Sequence, residues 1–289
     1  MSRRPSPPHG PKGMAGAPAV RALACALATT ALLATAACSG GGSGSRASDV
    51  AASPLAEAAE AASARAAATS APPRLTKAGA QAALIDEGNI EDGWNQVKDA
   101  AKWDDSLLIG KVDVADFLTA KSNAADCQKL LDSLYDDDLL GKPSGASALR
   151  GFEQGNSRLL HQVAAYGSAE LSDAQAWLKT LPVKCDRFTA TDSQGGKRTV
   201  EVTTGSVPAV GDSRQDLRVV VRGTANGEPA TLTLDVAVVR VGDDAITVTA
   251  GGLDGAEAQS AGQAVTKGTQ RLKDVLSGKT PAAGPARSR

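Results

Sequence analysis

His161 is the side chain best suited to transfer protons near neutral pH, and it lies in the middle of the apolar run Leu159–Val163. Alternation along a strand places it on one sheet face with Leu159 and Val163. A general base also needs a nucleophile presented by a turn or loop motif, and no such motif surrounds His161. We therefore expect a satisfied, partly buried structural histidine and no enzyme activity, with a pH-sensing role as the alternative.

The carboxylates of Asp136–Asp138 form a second candidate site, because they follow Tyr135 at the end of a predicted helix. Negative charge is unfavourable at a helix C-terminus, so a hard cation such as Ca²⁺ could compensate it. The spacing does not match that of an EF-hand loop. We expect a solvated turn, no metal site and no cofactor.

Trp94 and Trp103 are the residues that we assign to a possible ligand pocket. Trp offers a large apolar face and one hydrogen-bond donor, which suits the wall of a binding site. Trp177 lies on the apolar stripe of a predicted helix and is expected in the core. The alternative for Trp94 is also a core position.

Residues 1–37 have the pattern of an export signal. The first 21 residues carry four basic and no acidic side chains, and residues 22–37 are apolar or small. This apolar stretch is shorter than the roughly 20 residues that span a bilayer. The pair Arg3–Arg4 leaves a twin-arginine signal open as an alternative route of export.

The segment Leu33–Cys38 resembles the lipobox of bacterial lipoproteins, although Thr35 departs from the usual Leu, Val or Ile. The resemblance implies a diacylglyceryl group on Cys38, cleavage before it, and an anchor in the outer face of the cytoplasmic membrane. Two acyl chains make such anchoring stable. The alternative is a conventional signal peptide cut after Ala37, which would leave Cys38 free.

The number and positions of the cysteines then predict one disulfide. Cys25 lies within the signal and Cys38 is lipidated, so Cys127 and Cys185 remain as an even pair in an oxidising compartment. A metal site would need further ligands close to them.

Removal of the signal makes the chain acidic. The signal contributes four of the 31 Lys and Arg residues, so 27 remain against 32 Asp and Glu, a net charge of −5. This balance argues against a nucleic-acid partner, since such partners are bound by basic surfaces. The abundance of Ala and Gly is typical of a GC-rich genome such as that of an actinobacterium.

Composition and periodicity divide the rest of the chain into a tether, one domain and a tail. Residues 38–73 are rich in Gly, Ser and Ala and predict a spacer, whose Ala-rich part favours a helix. We assign residues 74–278 to a single extracellular domain and residues 279–289 to a disordered tail. Period-two patterns predict strands, and period-3.6 patterns predict helices. The strands fall at about 148–153, 158–166, 186–191, 198–203, 217–222, 230–241 and 245–250, and the helices at about 75–85, 123–135, 173–181 and 255–276.

This order of hairpins predicts an α+β fold, with an antiparallel sheet of about six to seven strands, helices mainly on one face and one disulfide. The early Gly93–Trp94 pair and the helix carrying Trp177 eight residues before Cys185 resemble the PknH-like extracellular sensor-type domain of actinobacterial lipoproteins. The resemblance implies a cleft that binds a ligand. A Mog1/PsbP-like fold is the alternative.

We therefore expect a lipid-anchored, non-enzymatic extracellular domain. It would sense or bind a small molecule or an envelope component. The alternative function is that of a structural lipoprotein that docks another cell-envelope protein. A deep pocket with convergent polar groups would favour the first, and an exposed apolar patch would favour the second.

Overall fold

Consecutive hairpins build the sheet, because most strands turn back onto the strand that precedes them. The computed structural model describes residues 74–103, 112–113, 121–192, 195–225, 227–253 and 258–285. These residues contain nine strands in the order β1-β3-β4-β9-β8-β7-β6-β5-β2, all paired antiparallel. The strands are β1 Asn95–Val97, β2 Val112–Asp113, β3 Ser147–Gln154, β4 Ser157–Ala165, β5 Arg187–Asp192, β6 Lys197–Thr204, β7 Ser213–Ala225, β8 Glu228–Val241 and β9 Asp244–Leu253.

All seven predicted strands are present as β3 to β9, and the α+β class is confirmed. The total is higher than the six to seven expected, because β1 and β2 add a short strand at each edge. Three and two residues are too few for an alternating pattern to be visible in the sequence.

Within the described residues, four α-helices accompany the sheet: α1 Lys77–Ala83, α2 Lys121–Asp132, α3 Ser168–Lys184 and α4 Ala258–Leu276. The α1 helix begins at a cap in which the Gly79 amide donates to Thr76 Oγ1 over 3.0 Å. The α3 helix is longer at both ends than predicted. Its Ser172 hydroxyl donates back to the Ser168 carbonyl within the helix instead of capping it, and Pro182 is accommodated in the last turn.

The helices cover both faces of the sheet, which differs from the expected arrangement on mainly one face. On one side, here called the disulfide face, α2 and α3 pack on side chains such as Leu160, Val219 and Leu234. On the other, the C-terminal face, α1 and α4 pack on side chains such as Leu159 and Val248. The reason is that β8 and β9 are apolar on both sides, and each side requires a cover.

The described part of the C-terminal segment, residues 279–285, contacts the domain. Arg271 Nη1 donates to the Ala282 carbonyl over 2.6 Å, and the Gly284 amide donates to Asp86 Oδ2 over 3.2 Å. Pro281 is buried. The described part of the predicted tail therefore crosses back over the end of α1.

The predicted disulfide is confirmed between Cys127 and Cys185, whose side chains are fully buried. It joins α2 to the end of α3 on the disulfide face. An ion pair of 2.7 Å between Lys184 Nζ and Asp126 lies beside it, and Trp177 Nε1 donates to the same carboxylate over 3.0 Å. The bridge thus holds together two helices that pack on the same side of the sheet.

Replacing both bridge cysteines, as Cys127→Ala/Cys185→Ala, is expected to lower the free energy of unfolding. The two positions are 58 residues apart, and the loss of loop-closure entropy for a ring of that length corresponds to about 4 kcal/mol. Urea unfolding with and without reductant measures it. Reductant should destabilise the wild type and leave the variant unchanged, and an equal response of both would contradict the assignment.

Candidate binding cleft

The loop between β6 and β7 runs beside α4 and forms a cleft with it. The Gly205 amide donates to the Asp216 carbonyl over 3.0 Å at one end of the loop, and the Asp212 amide donates to the Arg240 carbonyl over 2.8 Å at the other. Gly211 has φ +77°, and a Cβ there would lie 2.2 Å from Val239 Cγ1. Glycine thus allows the loop to pass closely over β8.

The cleft has a volume of about 450 Å³ and is half open to solvent. One wall is apolar and comes from the loop, through Ala209 and Val210. The other is polar and comes from α4, where Lys267, Gln270 and Lys273 follow one another at three-residue intervals along one ridge of the helix.

Both lysine side chains of this wall are exposed. Their ammonium groups give the cleft a local positive charge on a chain whose net charge is −1. The nearby Gln270 amide donates to Asp274 over 3.0 Å. The arrangement is suited to non-covalent binding of a ligand that has an anionic group and a small apolar part.

The sequence-based assignment of the pocket did not include these residues, and the structure does not bring Trp94 and Trp103 together. Trp94 is fully buried on the C-terminal face, where its Nε1 donates to Ser260 Oγ over 3.0 Å. The Ser260 hydroxyl in turn donates to the Glu91 carboxylate. Trp94 is therefore a core residue that holds the start of α4.

Trp103 lies on the opposite, disulfide face and is 8% exposed. Its ring packs edge-on against Tyr135 with the centroids 5.9 Å apart, and the Arg158 guanidinium lies 5.2 Å from its centre. The sheet separates the two indoles, so they line no common pocket.

A sequence signal for the cleft does exist in the loop itself. Residues 205–212 include Val207 and Val210, and both side chains pack partly buried against the core of the C-terminal face. Apolar residues in a connecting loop are unusual, because such loops normally face water. They mark a loop that folds over another element.

His161 is fully buried on the sheet face that carries Leu159 and Val163, as the alternation predicted. The expectation of a partly buried, satisfied ring was wrong, because the backbone of α4 at Gly268 covers the ring and neither ring nitrogen has a hydrogen-bond partner among the described residues. Burial, together with the nearby positive charges of Arg150 and Arg271, lowers the pKa of His161 to about 3. A ring that is neutral and sealed from solvent cannot exchange protons with a substrate in the cleft.

The acidic run at residues 136–138 lies in the turn region that follows the end of α2 at Asp132. Burial, with a contribution from neighbouring carboxylates, raises the pKa of Asp136 and Asp138. Across the described ranges, no three Asp, Glu, His or Cys side chains are grouped so that they could hold a metal ion. Cys38 and the whole signal and tether lie outside the described residues.

Comparison with known proteins finds a weak structural similarity. No family model matches the chain, and no curated protein matches it. Among solved structures, the extracellular domain of PknH from Mycobacterium tuberculosis aligns with 71% of this chain and 98% of its own, at 14% identity and a TM-score of 0.39.

The Rv0999 ortholog from Mycobacterium smegmatis aligns with 70% of this chain and 98% of its own, at 13% identity and a TM-score of 0.40. Both TM-scores are below 0.5, so no property of either protein is transferred to this chain.

The turn between β8 and β9 supports the end of the cleft loop, because the Gly242 amide donates to Asp212 Oδ2 over 2.7 Å. Asp244 in this turn is 8% exposed. Burial, and secondarily the charge of Asp243, raises its pKa to about 6. Its carboxylate therefore disfavours the folded state once it ionises.

Asp244→Asn is expected to raise the free energy of unfolding at pH 8 and to change it little below pH 4. In the wild type, the protonated Asp244 side chain contributes fully to the free energy of unfolding below the unfolded pKa of about 3.9. This contribution is lost as pH rises through the folded pKa of about 6. We expect a difference of about 1 kcal/mol between the two pH values after solvent screening. Urea unfolding of both proteins at each pH measures it, and a pH-independent difference would contradict the assignment.

Proposed function

We propose that this protein is a lipid-anchored, non-enzymatic extracellular domain that binds an anionic ligand or envelope component in the cleft between loop 205–212 and α4. The observation that carries the proposal is the cleft itself, a cavity of about 450 Å³ with one apolar and one cationic wall. Such a combination of apolar surface with a few placed polar groups is typical of ligand sites.

The rest of the domain supports binding at this cleft over docking through an apolar surface. Both faces of the sheet carry large buried clusters of apolar side chains. Among the described residues, Val183 is the one large apolar side chain that is exposed, at 83%. A single exposed valine does not form a patch of the size that marks a protein-docking surface.

The charge of the cleft indicates the ligand class. Lys267 and Lys273 present two ammonium groups on one ridge of α4, and both are free to move because they are exposed. An ammonium pair attracts phosphate, sulfate or carboxylate groups. The loop wall would contact a short apolar portion of the same ligand.

Membrane attachment rests on the sequence of residues 33–38 and on the Gly- and Ser-rich stretch that follows. No helix in the described part of the chain combines the length and apolar character needed to span a bilayer. The diacylglyceryl group on Cys38 would hold the domain at the outer face of the membrane, with residues 39–73 as the spacer.

Cys38→Ser is expected to release the protein from membranes. The thioether to diacylglycerol needs the cysteine sulfur, and without it the chain has lost its lipid. Fractionation followed by immunoblotting should find most of the wild type with membranes and most of the variant in the medium or soluble fraction. Cys25→Ser serves as the matched control and should stay with the membranes. Unchanged membrane association of the Cys38 variant would refute lipid anchoring.

Charge reversal in the cleft, as Lys267→Glu/Lys273→Glu, is expected to weaken ligand retention. The experiment purifies the lipidated protein from native membranes and analyses bound small molecules by mass spectrometry. We expect an anionic molecule that is retained about tenfold less by the variant, since two attractive charges become repulsive.

Lys142→Glu/Lys179→Glu is the matched control, because it makes the same charge change at two exposed sites outside the cleft. Equal retention by the cleft variant and this control would contradict the proposed site. Circular dichroism of all three proteins verifies that the fold is kept.

A further inference from the structure

The packing of α4 on the sheet includes a histidine that is sealed from solvent. His161 is 0% exposed, and both of its ring nitrogens lack a partner among the described residues. Burying a polar ring without hydrogen bonds is costly, and burying it with a positive charge is far more costly. The neutral ring is therefore a condition for this packing.

The ring lies directly beneath the backbone of α4. A Cβ atom added to Gly268 would lie 2.3 Å from His161 Nε2, so the helix passes the ring at a distance that only glycine permits. Solvent cannot reach the ring while α4 stays in this position. Exposure of His161 thus requires movement of α4.

Among the described residues, the two charges that act on the ring are those of arginines on adjacent elements, and both oppose a proton there. One carboxylate, that of Asp86, lies close to one of these arginines. Arg150 pairs directly with His161 across β3 and β4, and Arg271 approaches from α4. Ile246 and Val248 of β9 are apolar neighbours. Asp86, at the end of α1, is 3.8 Å from Arg271.

Arg271 connects α4 to α1 and to the C-terminal segment 279–285. Arg271 donates from Nη2 to the Ala82 carbonyl over 2.9 Å and from Nη1 to the Ala282 carbonyl over 2.6 Å. Its Asp86 partner also accepts from the Gly284 amide. Loss of α4 from the sheet would therefore also loosen α1 and the C-terminal segment 279–285.

We propose that proton uptake by His161 releases α4 from the sheet and residues 279–285 from the end of α1, so that mild acid loosens the C-terminal face while the disulfide face keeps its structure. Once α4 has moved, the ring is solvated and binds a proton near pH 6.5, as an unperturbed histidine does. In the closed state the buried ring stays neutral down to much lower pH. Proton uptake thus favours the open state.

Hydrogen–deuterium exchange of the full-length lipidated protein in detergent tests the proposal. The opening constant of α4 should rise about 25-fold between pH 7 and pH 5, the factor by which one proton binding near pH 6.5 favours the open state. Peptides from 258–276 report α4, and peptides from 168–184 report α3. After correction for intrinsic exchange rates, the α4 peptides should lose protection relative to the α3 peptides.

His161→Gln should remove this pH dependence, whatever its effect on overall stability, because the side chain no longer titrates. Asp244→Asn is the control, since it removes a different titrating group and should keep the 25-fold change. A parallel loss of protection in α3 and α4 of the wild type overturns the proposal. So does a His161→Gln variant that retains the change.

A second measurement on the wild type keeps the test decisive if the variant does not fold. Nitrogen-15 NMR of the imidazole ring should show the neutral form in the closed protein at pH 5. A ring that becomes protonated between pH 6 and 7 while α4 stays protected would overturn the proposal.

Discussion

The burial of β8 and β9 on both faces is the constraint on which the rest of the structure depends. Val236, Ala237, Val238 and Val239 are each at most 2% exposed, although successive side chains of a strand point to opposite sides. Neither face at the centre of the sheet can therefore remain in water. One helix pair is needed on each side, and the order of elements along the chain supplies α2 and α3 for one and α1 and α4 for the other.

The two helix pairs are held on the sheet in physically different ways. On the disulfide face, a covalent bridge and a continuous apolar cluster join α2 and α3 to the sheet. On the C-terminal face, α4 lies over buried polar groups, among them the Trp94–Ser260 hydrogen bond and the unpartnered His161. Buried polar contacts depend on protonation state and geometry more than apolar contacts do. On the face that carries the cleft, the packing of α4 therefore depends on a neutral His161 ring beneath Gly268.

The strands and helices were largely predictable because their signals are local. Alternation in residues 230–241 and 245–250, with the Gly242–Asp244 turn between them, specifies the β8–β9 hairpin without knowledge of the rest. The placement of α4 on the opposite face from α3 was not predictable in the same way. An amphipathic helix shows which of its own sides is buried, but its sequence does not say which face of the sheet receives it.

Residue type, count and period alone predict the pairing of Cys127 with Cys185, the seven long strands and the sheet face that carries His161. The sequence also carries the whole case for Cys38 as a lipid anchor. Tertiary packing alone places Trp94 and Trp103 on opposite sides of the sheet. Only it brought loop 205–212 beside Lys267 and Lys273, and Gly268 over His161. These contacts join residues that are 55 or more positions apart, and their geometry follows from how the helices pack on the two faces, which no local pattern encodes.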